Sequence, residues 1–454
     1  MSHAWQPPLR ISREQIVKDS EEVLAMPDIA FNETEDVFRI REAGMDWDIG
    51  VRIYEPRDPA RIPRGPDGKK IGVFLLHGGE DDWRQLDPMA RTLSGKFGCK
   101  VVSGTFPGRL YLQNPSREWP GDTMHPNGSV RTPIWVEDEL ITRDEYDVIS
   151  DQSMRWRYGT RTVARAKADT NFYFRLAAWP MAMEIGMIEA NQRHFSATEF
   201  SVYGQGHSTG GPMVSMLSQR ISNFAGALAA EHSAFGCIAY AKQEWRQQTD
   251  RGNRFDRAAG QEAQRTDPFN ELYIRTWRDF ARYFGPETLA TEGADALMRL
   301  PWLMEEVFEH WNEERSRPRF KCEYSVTHDI RPSLEEAARV TAARLAMNGE
   351  ETEALVQRYL NYARPLEGPD HKPVPPFLFG IALNSRDHTL ENYQEVTLPA
   401  FAAFDPPARA TVTQFAAGAH KIWQPEEGLP QGIEPSVIKS WYQAIMNGFF
   451  LTES

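Results

Sequence analysis

Cysteine is scarce in this chain of 454 residues, which contains only Cys99, Cys237 and Cys322. Their odd number and wide spacing argue against a disulfide framework and against a cysteine-type metal site, and favour a reducing compartment. Positive charge is also in deficit, because 51 Lys and Arg stand against 64 Asp and Glu, for a net charge of −13. Nucleic acids and anionic membrane surfaces bind through basic patches, so we expect neither as a partner.

Long apolar runs are missing as well. The first ten residues are polar and contain proline, unlike a signal peptide, and the apolar stretch 221–241 is interrupted by Glu231 and His232. A transmembrane helix needs about 18 or more consecutive apolar residues, and no stretch comes near that length without a charge. With 41% hydrophobic and 25% charged residues, the chain can nevertheless build a packed core. We therefore expect a cytoplasmic protein that does not enter a membrane.

A glycine-rich turn at Gly204–Gly211 is the most informative stretch of the sequence. Positions 206–210 read GHSTG, the G-x-S-x-G pattern of a nucleophile elbow, in which a serine, here Ser208, stands on a sharp turn between a strand and a helix. The β-prone Glu199–Tyr203 precedes the turn and the helix-compatible Pro212–Arg220 follows it. The pattern alone is weak evidence, because it arises by chance in roughly one chain of this length in six.

The segments before the turn alternate between strand and helix patterns. A hairpin is expected over Asp36–Glu42 and Asp48–Tyr54, and a helix over Trp83–Phe97. The fully apolar run Ile71–Leu76 is typical of a central strand, and Lys100–Ser103 is a second strand after the helix. A strand, a helix and a strand in this order predict a right-handed βαβ unit in a parallel sheet. Residues 1–35 are interpreted as an N-terminal arm with one short helix.

These segments resemble the α/β-hydrolase family. The likeness lies in the hairpin, in HGG at 77–79 after a strand, in VVSGTFPGR at 101–109 and in GHSTGG, and it covers about half of the chain. It implies a mostly parallel sheet with helices on both faces and a catalytic triad whose members follow along the chain in the order serine, acid, histidine. Thr105 is a departure, because many members of the family carry aspartate there.

The resemblance also predicts how the chain is divided. Residues 1–239 form the first part of the hydrolase core, with an insertion at about 110–165 over the site. Residues 240–372 form a helical cap, and residues 373–454 complete the core. Helix patterns inside the proposed cap cover Thr266–Phe284, Pro301–Glu314, Ser333–Asn348, which opens with a Ser333/Glu336 capping box, and Glu350–Ala363.

A serine needs a base to take its proton, and His420 is the candidate. It follows the last expected strand, Ala410–Phe415, in a loop rich in glycine and alanine. Two residues compete for the acid that holds the imidazole. Asp387 follows the strand Phe377–Leu383 after a short turn and is favoured, since its shorter side chain loses less rotamer freedom. Glu231, at the end of the strand Phe224–Ala230, is the alternative.

Backbone amides should form the oxyanion hole. Thr209, directly after the nucleophile, is expected to supply one, and Gly79 or a neighbour the other, with Gly78 giving clearance. Three further histidines are assigned to the substrate pocket or its supports: His77, His207 and His232. Glu80, Asp81 and Asp82 are interpreted as a solvated acidic turn, because no further ligand joins them at metal-binding spacing.

The sequence therefore predicts a serine hydrolase that cleaves a carboxylic ester, a lactone or a related acyl bond through an acyl-enzyme. A small-molecule acyl substrate is the expected partner, no metal or organic cofactor is implied, and a homo-oligomer is compatible with the sequence. Carbon–carbon hydrolases, amidases and acyltransferases share the same triad and stay open as alternatives. A non-catalytic ligand receptor on the same fold is the alternative from another functional class.

Overall fold

A computed structural model describes most of the core and parts of the two predicted insertions. The described residues are 8–78, 83–107, 143–156, 159–208, 210–232, 271–274, 331–362, 366, 368–385, 390, 393–402 and 404–451. The strands are β1 (Leu9–Ile11), β2 (Phe31–Glu42), β3 (Met45–Pro56), β4 (Lys70–Leu76), β5 (Lys100–Thr105), β6 (Tyr146–Trp156), β7 (Gly159–Ala166), β8 (Phe200–His207), β9 (Phe224–Ala230), β10 (Glu271–Ile274), β11 (Phe377–Asn384) and β12 (Ala410–Ala419). The α-helices are α1 (Arg13–Ala25), α2 (Asp87–Gly95), α3 (Asn171–His194), α4 (Gly210–Arg220), α5 (Arg331–Arg344), α6 (Gly349–Leu360), α7 (Leu398–Ala402) and α8 (Glu434–Met446).

Nine strands form one sheet in the order β1-β12-β11-β9-β8-β4-β5-β3-β2. The first seven strands in this order, from β1 at the edge through β12 to β5, all pair in parallel. Strand β3 runs antiparallel to both of its neighbours, β5 and β2. The elbow strand β8 lies between β4 and β9 in the middle of the sheet, with all eight of its residues buried. Because parallel strands end at the same edge, the turns after β4, β8, β9, β11 and β12 all meet there.

Helices cover both faces of this sheet, as its fully buried central strands require. On one face α1, α2 and α8 enclose a core that includes Ile16, Leu86 and Trp441. On the other face α3, α4, α5 and α6 pack over a larger core that includes Trp179. The strand order, the antiparallel strand β3 near one edge and the helices on both faces confirm the prediction of an α/β-hydrolase fold.

Helix α4, which follows the elbow, is capped at its C-terminal end by the side chain of Lys372, which is distant in the sequence. The Nζ of Lys372 donates hydrogen bonds to the carbonyl oxygens of Ser218 at 3.2 Å and Ile221 at 3.1 Å, and to that of Phe224. A cation at this end complements the helix dipole, although burial lowers the pKa of Lys372 to about 8. The contact joins the residue directly before the second core segment to α4.

Several sequence expectations change in detail. The N-terminal arm contributes β1, which pairs in parallel with β12 and adds an edge strand that the sequence did not signal. The expected helix over Trp83–Phe97 is shorter, since α2 follows one 3-10 turn at Trp83–Leu86. The Ser333/Glu336 capping box is wrong, because α5 already begins at Arg331. The capping box that forms is at the next helix, where Asn348 and Glu351 exchange hydrogen bonds.

A second, three-stranded sheet in the order β10-β7-β6 joins the two predicted insertions. Strand β10 pairs antiparallel with β7, with Glu271 opposite Arg165. The expectation of a helix over Thr266–Phe284 is therefore wrong at Glu271–Ile274. The helix predicted at Pro301–Glu314 lies outside the described residues, and the cap over residues 240–372 stays a prediction. Among the described residues, no helix is long and apolar enough to span a membrane.

Candidate active site

Ser208 stands directly after β8 in a left-handed backbone conformation, with φ of 54°. A non-glycine residue in this region costs on the order of 1–3 kcal/mol, so the surrounding structure must hold it. Two backbone hydrogen bonds do so. The N–H of Ser208 donates to the carbonyl of Ala230 at 3.1 Å, and the N–H of Gly211 donates to the carbonyl of Ser208 at 3.0 Å. The geometry is that of a strand–turn–helix elbow.

The glycines around the serine permit this turn, because side chains there would collide with backbone. A Cβ on Gly206 would lie 2.0 Å from the carbonyl oxygen of Gly210, and a Cβ on Gly210 would lie 2.1 Å from the carbonyl oxygen of Leu76. Each position is required by a close approach between β8, α4 and the end of β4. These distances give a steric reason for the glycines of the G-x-S-x-G pattern on both sides of Ser208.

The turn after β4 packs against the elbow. A Cβ on Gly78 would lie 3.1 Å from the side-chain amide of Gln85 and 3.4 Å from the Cβ of Ser208, the latter an ordinary van der Waals distance, so the clearance expected from Gly78 stays a prediction. The N–H of Gly78 is engaged, since it donates to the Oε1 of Gln85 at 2.5 Å. Gln85 is a contact that the sequence did not signal. The expected oxyanion donors Gly79 and Thr209 lie outside the described residues and stay predictions.

His77 is fully buried beneath this turn. Its Nδ1 lies 2.6 Å from the carbonyl oxygen of Gly78, and its Nε2 lies 3.3 Å from the N–H of Phe106. A carbonyl only accepts and an N–H only donates, so the ring carries its proton on Nδ1 and is neutral. His77 thereby links the turn after β4 to the end of β5, and its expected place in the substrate pocket or its supports stays a prediction.

His420 follows β12 at the same edge of the sheet. Gly418, two residues earlier, has φ of 77°, and its N–H donates to the Oε2 of Glu426 at 3.2 Å. The side chain of His420 is 17% exposed. Its Nδ1 lies 3.3 Å from the Oε2 of Glu231. This distance is longer than the usual 2.9 Å or so for a hydrogen bond of this kind.

Glu231 is fully buried at the end of β9 and, like Ser208, has a positive φ, of 52°. Its carboxylate accepts hydrogen bonds from three donors, which lie at the ends of β11 and β12. The N–H of Ala382 donates to Oε1 at 2.7 Å, and the hydroxyl of Ser385 and the Nδ1 of His420 share Oε2. A buried carboxylate requires such donors, since an unpaired one would be strongly destabilising.

The structure describes only one of the two candidate acids. Asp387, the one that the sequence favoured, lies outside the described residues, and its role stays a prediction. Glu231, the alternative, is the carboxylate that the described structure places at Nδ1 of His420. Ser385 was not singled out from the sequence, although it belongs to the NSRD turn in which Asp387 lies. No local sequence signal indicates that its hydroxyl reaches a residue 154 positions away.

The buried His232 and Tyr393 pack behind Glu231. The Nε2 of His232 lies 3.2 Å from the hydroxyl of Ser215 on α4, and a Cβ on Gly211 would lie 2.8 Å from its ring. Burial, and secondly the nearby charge of Glu231, raise the pKa of the Tyr393 hydroxyl well above its ordinary value, so it stays protonated. His232 thus contacts the elbow helix, and its predicted place in the substrate pocket is not tested.

His207, the residue before Ser208, contacts His420. Its Nε2 lies 2.7 Å from the carbonyl oxygen of His420, and the two rings have their centroids 5.0 Å apart. The ring of Trp423 packs edge-on against His207 at 4.8 Å. Among the described residues, no group of three or more His, Cys, Asp or Glu side chains is arranged to hold a metal ion.

Comparison with known proteins adds structural neighbours only. No family model matches the sequence, and no curated protein matches it. Solved structures that align with it include an acylaminoacyl peptidase of Pyrococcus horikoshii at 11% identity and TM-score 0.37, covering 93% of this chain and 42% of that one. An S-formylglutathione hydrolase from Agrobacterium tumefaciens aligns at 12% identity and TM-score 0.34, covering 93% and 100%. A mutant of the esterase rPPE aligns at 11% identity and TM-score 0.35, covering 97% and 90%.

The chain thus spans less than half the length of the peptidase, but nearly the whole length of the other two neighbours. At this level of identity and TM-score, what these proteins act on says nothing about the substrate of this chain. The fold assignment rests on the strand order and on the elbow at Ser208.

Proposed function

We propose that this protein is a serine hydrolase that cleaves a carboxylic ester, a lactone or a related acyl bond. Ser208 is the nucleophile, His420 the general base and Glu231 the acid that holds the imidazole. The observation that carries the proposal is the fully buried Glu231 carboxylate at Nδ1 of His420, beside the elbow of Ser208. The chain order of serine, acid and histidine is kept with Glu231, as it is with Asp387.

The electrostatics of the acid support this assignment. A carboxylate accepts hydrogen bonds, so the proton in the contact with His420 sits on Nδ1. Nε2 of the imidazole is then unprotonated and can accept the hydroxyl proton of Ser208. The negative charge of Glu231 also stabilises the imidazolium that forms when His420 takes this proton. Ala382 and Ser385 keep the carboxylate oriented while the charge on His420 changes.

The acylation step follows from these roles. The Oγ of Ser208 attacks the carbonyl carbon of the substrate while its proton passes to Nε2 of His420. The tetrahedral intermediate collapses by breaking the bond between the carbonyl carbon and the leaving group, which takes the proton from His420. The products of this half-reaction are the acyl-enzyme and an alcohol, or in a lactone the ring-opened hydroxyl.

Deacylation reverses the same proton path. A water molecule attacks the acyl carbon and gives a proton to Nε2 of His420. The bond to Ser208 then breaks, and the serine oxygen takes the proton back as the carboxylic acid leaves. The predicted amides of Gly79 and Thr209 would stabilise the oxyanion in both steps. Gly78 does not join them in this proposal, because its N–H is bonded to Gln85.

The test is the reaction of the purified protein with a fluorophosphonate and with p-nitrophenyl acetate. We expect the wild-type protein to be labelled at Ser208 and to release p-nitrophenol. The Ser208→Ala variant should fold normally, lose labelling, and lose kcat by about 10⁴-fold or more, because members of a triad act as a unit. A folded Ser208→Ala protein with unchanged turnover would falsify the serine mechanism.

A folded wild-type protein that neither reacts with the fluorophosphonate nor turns over any ester, lactone or amide offered would favour the receptor alternative. If the protein does turn over an ester, screening acyl chain length, aryl esters and lactones against the wild-type protein and Ser208→Ala would identify the substrate class. Amides, a substrate with a scissile carbon–carbon bond and an alcohol that accepts the acyl group belong in the same screen, because they separate the amidase, the carbon–carbon hydrolase and the acyltransferase by which of them gives the highest kcat/KM.

A further inference from the structure

His207 occupies a position between the nucleophile and the base. It is the last residue of β8, directly before Ser208, and it lies opposite Ala230 in the pairing of β8 with β9. Its side chain is 1% exposed. The backbone of His207 is therefore held in the centre of the sheet, which makes its side chain a fixed point from which other groups can be positioned.

The side chain of His207 reaches the loop that bears the base. Its Nε2 lies 2.7 Å from the carbonyl oxygen of His420, and because a carbonyl only accepts, Nε2 carries the proton and donates it. Its ring also packs against the rings of His420 and Trp423, both from the loop after β12. One side chain thus contacts this loop through a hydrogen bond and through two aromatic rings.

We propose that His207 is a positioning residue for the reaction proposed above: its hydrogen bond to the carbonyl of His420 sets the position of the imidazole relative to Ser208. The inference rests on the proposed function, since it assigns His207 a role only if His420 is the base. It narrows the expectation that His207 belongs to the substrate pocket or its supports, because it assigns the side chain to the support of His420 and not to substrate binding. A residue that acts through His420 changes kcat, whereas a residue that only binds substrate changes KM.

The physical reason lies in how His420 is held. Glu231 fixes the Nδ1 side of the imidazole, but the peptide of His420 belongs to a loop that leaves β12 through Gly418, whose φ of 77° is open to few other residues. The bond from His207 fixes that peptide against the strand that carries Ser208. A displacement of about 1 Å between reacting groups can lower a rate by about 100-fold, so a lost bond here should be visible in kcat.

The experiment compares two amides of different length at position 207. In His207→Gln the side-chain N–H₂ extends to about the place of the imidazole Nε2 and can still donate to the carbonyl of His420. In His207→Asn the amide is one carbon shorter and does not reach it. We expect His207→Gln to keep kcat for p-nitrophenyl acetate within about threefold of wild type, and His207→Asn to lose kcat by about 10- to 100-fold with little change in KM. The rate of fluorophosphonate labelling at Ser208 should fall in the same ratio.

His194→Asn is the matched control, because His194 is a partly buried histidine whose Nε2 contacts Asp36 at 3.1 Å, outside the site. Thermal melting reports whether each variant is folded. If His207→Asn does not fold, His207→Phe, which keeps a ring but has no donor, replaces it in the comparison with His207→Gln.

Three outcomes would overturn the inference: equal kcat in the Gln and Asn variants, a change in KM alone, or the same loss in His194→Asn. Failure of the proposed function itself would give a different result, namely unchanged labelling and turnover in Ser208→Ala. Normal labelling at Ser208 together with equal kcat in the two position-207 amides would remove only the role of His207.

Discussion

The turns after β8 and β9 are neighbours at one edge of the sheet, and they hold Ser208 and Glu231 in similar backbone conformations. The φ angles are 54° at Ser208 and 52° at Glu231, although neither residue is glycine. Such conformations cost on the order of 1–3 kcal/mol each and persist where the surrounding structure imposes them. Both strained residues belong to the proposed triad.

The two turns are held by different means. The elbow is held by backbone hydrogen bonds of Ser208 and requires that side chains be absent around it, since Cβ atoms on Gly206 or Gly210 would lie 2.0–2.1 Å from backbone oxygens. The turn at Glu231 is held by the glutamate itself, whose carboxylate accepts hydrogen bonds from Ala382, Ser385 and His420 and whose N–H donates to Gly380 at 2.9 Å.

This difference explains why the sequence predicts the turn at Ser208 but not the turn at Glu231. Steric clearance leaves glycines at fixed positions around the serine, which gives the G-x-S-x-G pattern. Long-range hydrogen bonds leave no local pattern, because their donors belong to strands that are distant along the chain. Strain at a functional residue can therefore be marked by a motif or be visible only in three dimensions.

The largest expected effect distinguishes the two candidate acids. Glu231→Gln keeps the shape of the side chain but removes the charge that stabilises the imidazolium, and it no longer fixes the tautomer of His420. We expect a loss in kcat of about 10³- to 10⁴-fold. Asp387→Asn should stay within about threefold of wild type. Steady-state kinetics with p-nitrophenyl acetate on both purified variants would measure this.

The reverse result, with activity lost in Asp387→Asn and kept in Glu231→Gln, would restore the acid that the sequence favoured. The hydrolase proposal would survive that outcome, because Ser208 and His420 do not depend on it. The described contact between Glu231 and His420 would then be structural.

The next effect breaks the elbow by adding one methyl group. In Gly206→Ala the new Cβ would meet the carbonyl of Gly210 at 2.0 Å and the backbone nitrogen of Gly211 at 2.5 Å, so backbone must move. We expect a loss of about 3 kcal/mol or more in the free energy of unfolding, together with a loss of activity. Urea unfolding followed by fluorescence would measure it.

Gly349→Ala is the control for this substitution, because a Cβ there meets nothing within 4 Å at the start of α6. It should change the free energy of unfolding by no more than about 1 kcal/mol, and in the stabilising direction. If Gly206→Ala proves as harmless as Gly349→Ala, the steric account of the elbow is wrong.

The smallest effect weakens the turn at Glu231 without removing the acid. Ser385→Ala deletes one of the donors to the carboxylate, and a hydrogen bond to a charged group contributes about 1.5–3 kcal/mol. We expect kcat to fall by about 10-fold as the carboxylate loses its orientation, while Ser385→Thr, which keeps the hydroxyl, stays near wild type. An equal decrease in both variants would indicate that packing at position 385, rather than its hydrogen bond, matters.

Much of the fold follows from local patterns. The apolar run Ile71–Leu76 became the buried strand β4, the hairpin formed at the edge of the sheet, and α1 begins at Arg13 as a short helix in the N-terminal arm. Periodicity failed where tertiary pairing decided the conformation. A helical spacing of apolar and aromatic residues runs over Thr266–Phe284, but residues 271–274 within it form β10, because β7 offers them a strand edge.

The sequence by itself determined the place of Ser208, the proposed nucleophile, and the topology around it. The glycines that a sharp turn requires are close together in the sequence. The same is true of an apolar run that is buried on both faces of a sheet. Both features can therefore be recognised from a few consecutive residues. It also placed His420 after the last strand of the sheet, since parallel strands end at a common edge.

The tertiary structure alone brings a particular carboxylate, that of Glu231, to His420, the proposed base. Glu231, Ser385 and His420 come from the ends of β9, β11 and β12, which are far apart in the chain, and they meet through the register of three adjacent parallel strands. The sequence around a carboxylate does not indicate which groups will donate hydrogen bonds to it. Burial and hydrogen bonding, which make Glu231 the carboxylate at Nδ1 of His420, exist only after the sheet has formed.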